Sequence, residues 1–277
     1  MIAVSIPPPL VVVVGNGRLG RALATALTLA GSAPAVVPGR AGATRPDEIL
    51  SAARSAGPGV VLLLAVRDDA LPDLVAALSA AASSFPPGTV TLHHSGSHGA
   101  GILAPLESEG LATGSCHPLQ TFTGSPDDAG RFQGITFAVD GSGPGLAAAE
   151  RLARVLGGRP VLVEARNRAL YHLAASLAAN GLTGLVAASR DALAGAGFAP
   201  SEALDALAPL LRSALEEALR RGPEASLTGP VARGDETTLG RHRRALLAWD
   251  ASRASLLEAL IREQRRLAGR SPGGTEC

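Results

Sequence analysis

The chain contains no lysine: all 25 of its basic residues are arginine. That absence excludes Schiff-base chemistry, a lysine general acid and a lysine phosphate clamp. Aromatic residues make up only 3 %, so a core has to be assembled from Ala, Leu and Val. Cysteine is nearly missing as well. Cys116 and Cys277 alone supply no disulfide framework and fit a reduced interior. The net charge of +1 gives no basic field for nucleic acid, and no nucleic-acid partner is expected. No uninterrupted apolar run approaches the ~18 residues of a membrane span. The start Met1-Ile2-Ala3-Val4-Ser5-Ile6 lacks the basic segment of a signal peptide. A cytoplasmic protein without a membrane partner is the expectation.

What is present is a chain of 277 residues, 46 % of them hydrophobic, long enough for two domains with a sizeable core. Its organising stretch is Val11-Val12-Val13-Val14 followed by Gly15-Asn16-Gly17-Arg18-Leu19-Gly20. Four β-branched residues read as a buried strand, and residues 21–27 read as a helix. A G-x-G-x-x-G turn in that setting is a dinucleotide fingerprint. Gly15 permits the tight turn, Gly17 lets backbone approach a pyrophosphate, and Gly20 lets helix and strand pack closely. The phosphates would sit at the positive end of the helix.

The second strand, Ala33-Pro34-Ala35-Val36-Val37, ends in Pro38-Gly39-Arg40. An NAD enzyme places an acidic residue there for the ribose 2′-hydroxyl, and none is present. Arg40, helped by Arg45, stands where a 2′-phosphate needs a cation, so NADP is expected over NAD. A solvated surface arginine is the plainer reading of Arg40.

Strands at 60–66, 89–93, 111–116, 135–139 and 160–163 alternate with helices at 47–56, 70–82, 101–110 and 144–156. This alternation predicts an α/β, doubly wound parallel sheet over residues 1–163. Asp69 is an N-cap candidate for the helix that follows it. From Glu164 onward Ala- and Leu-rich helical patterns take over, and residues 164–277 are expected to form an all-helical domain.

Candidate chemistry lies in three places. A helix over 167–193 carries His172, Ser176 and Asn180 at spacings of four, which share one stripe. His172 and Asn180 lie ~12 Å apart along its axis, with Ser176 between them. Polar residues bonding across a helix interface would look the same. His93, His94, His98 and His117 bring no acidic partner in the 93–98 segment, and no metal is expected. His117, held extended by Pro118, is a candidate general acid titrating near neutrality, or an ordinary turn histidine. Finally, Thr228-Gly229-Pro230-Val231-Ala232-Arg233-Gly234-Asp235 forms a shaped loop. There Arg233 clamps a substrate carboxylate or pairs with Asp235, and Thr237 is an N-cap candidate.

The glycine turn, Ser95-Gly96, Gly114-Ser115-Cys116-His117-Pro118-Leu119-Gln120, Tyr171-His172-Leu173-Ala174-Ala175 and Thr228-Gly229-Pro230 to Asp235 together resemble a bacterial Rossmann-like oxidoreductase family. Its C-terminal half is a domain of unknown function, DUF2520. More distantly the layout is similar to pyrroline-5-carboxylate reductase and deazaflavin-dependent NADP reductases, with the two-domain architecture of 6-phosphogluconate dehydrogenase. The resemblance implies a helical second domain that builds a homodimer, a site in the cleft between domains, and Thr228 reaching into the partner's site. The hydroxyacid dehydrogenase relatives carry a lysine and an asparagine where this chain has Ser176 and Asn180, so their proton-donor scheme does not transfer. Family members often read Ser-Asn where Ala179-Asn180 stands here.

The reading that results is an NADP-dependent reductase. It moves hydride between NADPH and the carbonyl or imine carbon of a small, carboxylate-bearing molecule. NADPH lies along residues 15–20, with Arg40 at its 2′-phosphate and Val66 and Ser95 at its nicotinamide. His117 or His172 supplies the proton, Ser176 and Asn180 position the substrate, and Thr228 and Arg233 bind it. A non-catalytic dinucleotide sensor or scaffold, and hydride exchange between NADP and a deazaflavin, stay open beside it.

Overall fold

A computed structural model describes residues 9–39 and 45–269. Strand β1 (Val11–Val14) is buried at all four positions. Its neighbours are β2 (Ala35–Val37), β3 (Val61–Leu64), β4 (Val90–His93), β5 (Ala112–Pro118), β6 (Thr136–Gly141) and β7 (Arg159–Leu162). They form one sheet in the order β2-β1-β3-β4-β5-β6-β7. The first five strands are parallel to one another, as fully apolar runs such as β1 and β3 require when both faces are covered.

Helices α1 (Arg18–Leu29) and α5 (Gly143–Val155) cover one face, closing a core with Val13, Leu63, Leu92 and Phe137. The other face is covered by α2 (Pro46–Ala56), α3 (Leu71–Ser79) and α4 (Ala104–Ser108), which pack on Val12, Val14, Leu62 and Leu64. Alternate side chains of each strand thus feed two cores, as the period-2 geometry of a strand demands. The doubly wound Rossmann-type class follows.

Three local expectations are corrected. The last two strands are not parallel to the first five: β6 pairs antiparallel with β5, and β7 follows β6 in parallel through α5. The β5–β6 connection holds only a 3-10 turn at Pro126–Phe132, too little for the helical crossover a parallel neighbour needs. Asp69 caps nothing. It lies inside the 3-10 turn Asp68–Ala70 and takes two hydrogen bonds from Arg67, while α3 has no side-chain cap. The expected helix over 101–110 is a 3-10 turn, Ala100–Leu103, running into the five residues of α4.

Composition changes at Glu164, whereas the first compact unit runs through Met1–Gly181 and the second is Leu182–Cys277. Helix α6 (Arg168–Ser176) belongs to the first unit because its opening residue, Arg168, is fully buried. Arg168 donates from Nε to the Val163 carbonyl and from Nη2 to the Ala138 carbonyl. A π-helical segment, Leu177–Gly181, follows. Within the helical stretch Ala165–Gly195 an 18-residue window has a mean hydropathy of 1.2, and, among the described residues, the stretch is long and apolar enough to cross a membrane by length and composition.

The second unit comprises α7 (Leu182–Gly195), α8 (Pro200–Arg221), α9 (Pro223–Ser226), α10 (Gly229–Arg233), α11 (Glu236–Asp250) and α12 (Ala254–Leu267). Its buried cluster is small: Val231, Leu239 and Ile261, with Leu257 against them. Ion pairs knit the rest, among them Arg243 with Glu258 and Arg253 with both Asp191 and Asp250. Thr237 is not the cap of α11. Asp235 is, accepting from the Thr238 N–H at 3.0 Å.

Candidate functional site

Strand order reverses at β1, with β2 on one side and β3 on the other, and open α/β sheets bind ligands in the crevice outside such a switch point. A cleft of ≈ 570 Å³ occupies that place. It is lined by Gly15, Asn16 and Gly17 after β1, Gly39 after β2, Val66 and Arg67 after β3, and by Arg45.

The three glycines of the turn meet different demands. Gly15 has φ +117°, and a Cβ there would lie 2.3 Å from the Ala65 carbonyl oxygen. A Cβ on Gly20 would lie 1.9 Å from the Gly15 carbonyl oxygen. Both are fixed by the protein's own packing. A Cβ on Gly17 would meet no protein atom within 4 Å, so nothing in the protein asks for glycine there. Gly17 is also the N-cap of α1 and gives no side-chain cap to its first N–H groups. The first turn of α1 holds no acid, while Arg18 and Arg21 stand in it. Cations at the positive end of a helix repel the dipole, so this turn is tuned for an anion. Asn16 is exposed, with its carbonyl taken by Arg21, and Leu19 packs on the core.

No acid follows β2 before Arg45; Arg40 lies outside the described residues. Arg45 lines the cleft and is paired with Glu48 at 2.7 Å.

Further along the same edge, β4 ends in two histidines with opposite surroundings. His93 Nδ1 accepts the Ser95 N–H, so the proton sits on Nε2 and is donated to the Gly99 carbonyl at 3.0 Å. His94 Nδ1 donates to the Cys116 carbonyl, and its buried Nε2 has no partner. Burial pushes both rings down to about 4. Ser95 is buried, and its hydroxyl contacts His98 Nδ1 at 3.0 Å and the Ser97 hydroxyl at 3.2 Å. Ser97 in turn donates to Asp68 at 2.8 Å, joining the loop after β4 to the turn after β3.

His117, near the end of β5, lies against Gly96, where a Cβ would come within 2.8 Å of its Nε2. Its Nδ1 is 2.7 Å from the Tyr171 hydroxyl, and its ring lies 6.1 Å from that of His172 at 29°. Burial, then the neighbouring His172, His94 and Arg168, lower His117 to about 3. The expected titration near neutrality is therefore corrected: at neutral pH this imidazole is uncharged. Burial also raises the Cys116 thiol to about 12, which leaves it inert.

The structure thus brings His117 and His172 together and adds Tyr171. His172 and Ser176 are half-buried, His172 Nδ1 has no partner, and Asn180 is exposed. The expected continuous stripe is interrupted, because Asn180 sits in the π-helical segment and the wider turn shifts its direction away from the α-helical register. π-segments concentrate at functional sites. In the second unit, Thr228 is the N-cap of α10 and Arg233 its last residue, followed by Gly234 in the left-handed conformation. The Asp235 carboxylate is taken by Thr238 rather than by a hydrogen bond from Arg233. Among the described residues no group of three His, Cys, Asp or Glu side chains is arranged to hold a metal ion.

A Rossmann-like domain model matches residues 5–118, and the model of a domain of unknown function, DUF2520, matches residues 135–263. Between them the two matches cover most of the chain. The two matches meet at the site: the first ends just beyond His117, and the second carries Tyr171, His172, Ser176 and Asn180. The DUF2520 match also begins at β6, the strand where the sheet turns antiparallel. No curated protein matches the chain by sequence. Among solved structures, a protein from Thermotoga maritima shares 21 % identity over 94 % of this chain and 98 % of its own, with TM-score 0.69. A reductive aminase from Aspergillus terreus, in complex with NADPH and ethyl levulinate, shares 21 % over 95 % of both chains, TM-score 0.62. Pyrroline carboxylate reductase from Plasmodium falciparum, with NADP bound, shares 12 % over 93 % of this chain and 97 % of its own, TM-score 0.58. These likenesses establish the shared fold.

Proposed function

We propose that this protein is an NADP-dependent reductase acting on the carbonyl or imine carbon of a small, carboxylate-bearing molecule. Gly17 is the observation that carries the reading: its neighbours Gly15 and Gly20 are glycine for the protein's sake, and it is not. A residue kept bare at the N-terminus of α1, in a cleft at the switch point, fits backbone approach to a pyrophosphate. The solved relatives that carry NADPH or NADP share this fold.

The residues present fit that cofactor. The N–H groups opening α1 would hold its phosphates, and Arg45 and Arg40 supply cations for a 2′-phosphate where an acid would have favoured NAD. Val66 and Ser95, at the ends of β3 and β4, stand further along the edge toward His117. Bound there, NADPH supplies the hydride. The chain's own contribution is His117, held uncharged and hydrogen-bonded to Tyr171, with the His172 ring against it, and Ser176 and Asn180 on the same helical stretch to orient the substrate. The test is calorimetry of NADPH with the full chain and with Gly17→Val. We expect the substitution to weaken binding about 100-fold, ~2.7 kcal/mol, with a stability loss of no more than about 1 kcal/mol from the changed N-cap. Equal binding by both proteins, or no binding by either, would refute the assignment.

We also propose a homodimer built through the helical domain. The support is its surface: Leu204, Leu210, Leu215, Leu219, Leu247 and Trp249 are exposed, Leu219 to 78 %. So many large apolar side chains exposed around so small a buried cluster support this reading. The solution mass of the full chain tests it.

A further inference from the structure

The proposed reduction needs a proton for the oxygen or nitrogen that receives the electron pair, and three of the histidines near the site do not carry a spare one. His93 is committed on both nitrogens, His94 is spent on the Cys116 carbonyl, and His117 is held neutral. The chain has one tyrosine, Tyr171, and its hydroxyl meets His117 Nδ1 at 2.7 Å with the two rings edge to face, 89° apart. One turn back on α6, on the same face, stands Arg168, whose guanidinium carbon lies 6.0 Å from the Tyr171 ring centroid.

Arg168 is an unusual residue in its own right. It is 0 % exposed, it spends Nε and Nη2 on main-chain carbonyls, and Nη1 is buried without a partner. Among the described residues it forms no ion pair. Asp140, the carboxylate that acts on it from further off, accepts from the Ala100 and Gly141 N–H groups instead. A buried cation without a partner carboxylate is costly to hold. Its cost is explained if a negative charge forms beside it during turnover.

We propose that Tyr171 hands the proton to the reduced substrate, and that Arg168 and His117 hold the phenolate left behind. This rests on the reductase reading above. In the step, the Tyr171 O–H bond breaks and an O–H or N–H bond forms on the substrate atom that took the electron pair of the reduced double bond. The electrons of the broken bond stay on the phenolic oxygen. His117, in its Nδ1–H tautomer, donates to that oxygen, and the Arg168 charge faces it through the ring. The phenol regains its proton from water after product leaves. Tyr171 is the catalytic residue; Arg168 and His117 are positioning residues. Burial raises the Tyr171 phenol to about 12, and Arg168 acts in the opposite direction, which is the direction a proton donor needs.

Because Tyr171 is the sole tyrosine, 3-fluorotyrosine gives one fluorine resonance, and its more acidic phenol titrates while the chain is still folded. Arg168→Met should raise that titration by about one unit, and Arg168→Lys should keep it within about 0.3 unit of wild type. If Arg168→Met does not fold, His117→Phe carries the same test, since losing the Nδ1–H donor also raises the phenol. A titration unmoved by either substitution would overturn the inference, and this measurement needs no substrate. The kinetic arm uses NADPH with a cyclic imine and with a 2-oxo acid. Tyr171→Phe should lower kcat about 100-fold or more, within the range of general-acid contributions, with the Kd for NADPH unchanged. Retention of more than about a tenth of kcat would overturn this inference alone. Failure of the wild-type chain to bind NADPH would instead remove the reading beneath it.

Discussion

At the end of β1 the backbone sets the geometry, whereas at the ends of β4 and β5 side chains set it. The glycine turn is defined by what is missing: Cβ atoms at Gly15 and Gly20 would run into main-chain oxygens. The His94, His117, Tyr171 and Arg168 cluster is defined by side chains, with His94 and Arg168 buried and His117 and Tyr171 half-buried against each other. Main-chain geometry tolerates no adjustment, because the clashing atoms belong to Ala65, just beyond β3, and to the turn itself. Side-chain clusters can relax, but they answer to pH. The two regions should therefore fail under different insults.

Gly20→Ala sharpens the contrast most. Its Cβ would lie 1.9 Å from the Gly15 carbonyl oxygen, and no rotamer can move out of the way, so the turn has to open. We expect a loss of about 3 kcal/mol or more, at the upper end for overpacking, seen as a lowered urea midpoint. Gly17→Ala in the same assay should cost no more than about 1 kcal/mol, the difference between glycine and alanine at a helix N-cap. Similar losses at both positions would mean that the turn is one rigid unit in which Gly17 also serves packing.

The side-chain region should be the acid-labile one. His94 is fully buried and its pKa in the folded chain is about 4, below the ordinary 6.5. The folded state thus favours the neutral ring. Its contribution is complete above about pH 6.5 and is lost as the pH falls toward 4, because the unfolded chain takes up the proton first. His93 acts in the same direction. His94→Leu removes one such ring. It should cut the stability lost between pH 7 and pH 4.5 by about 2 kcal/mol, whatever its effect at neutral pH. Chemical unfolding at the two pH values measures this, and an unchanged difference would show that His94 stays solvated in the folded protein.

Legibility in the sequence followed the same division. Val11–Val14, Val61–Leu64 and the glycine turn could be placed from the residues because short-range rules settle them: apolar runs, β-branching and the spacing of glycines. The direction of β6 could not, since it depends on a connection whose 3-10 turn, Pro126–Phe132, is stabilised by its own hydrogen bonds. Buried Asp128 there accepts from the Thr123 and Gly124 N–H groups. The stripe from His172 to Asn180 assumed one helical period throughout, and the π-segment Leu177–Gly181 breaks it. Helical spacing does not single out Tyr171, which stands beside His172 rather than four residues from it. Its partners are distant: His117 is 54 residues earlier. The available signal was its uniqueness in a chain without lysine, where few side chains other than histidine can hold a transferable proton at neutral pH.

The smallest expected effect returns to the cleft at β1 and asks whether a side chain there adds to what the backbone provides. Arg45 lines the cleft beyond β2 and is held by Glu48 at 2.7 Å. It can therefore be presented to a ligand without first being ordered. An exposed ion pair of this kind contributes little to stability, so Arg45→Glu should leave the unfolding midpoint nearly unchanged. A 2′-phosphate exists in NADPH and not in NADH, and charge-assisted bonds to phosphate are among the stronger ones. The substitution should thus weaken NADPH by about tenfold, ~1.4 kcal/mol, and leave NADH close to its original affinity, both measured by calorimetry. Loss for both nucleotides in equal measure would place Arg45 away from the 2′ position and leave selectivity to Arg40.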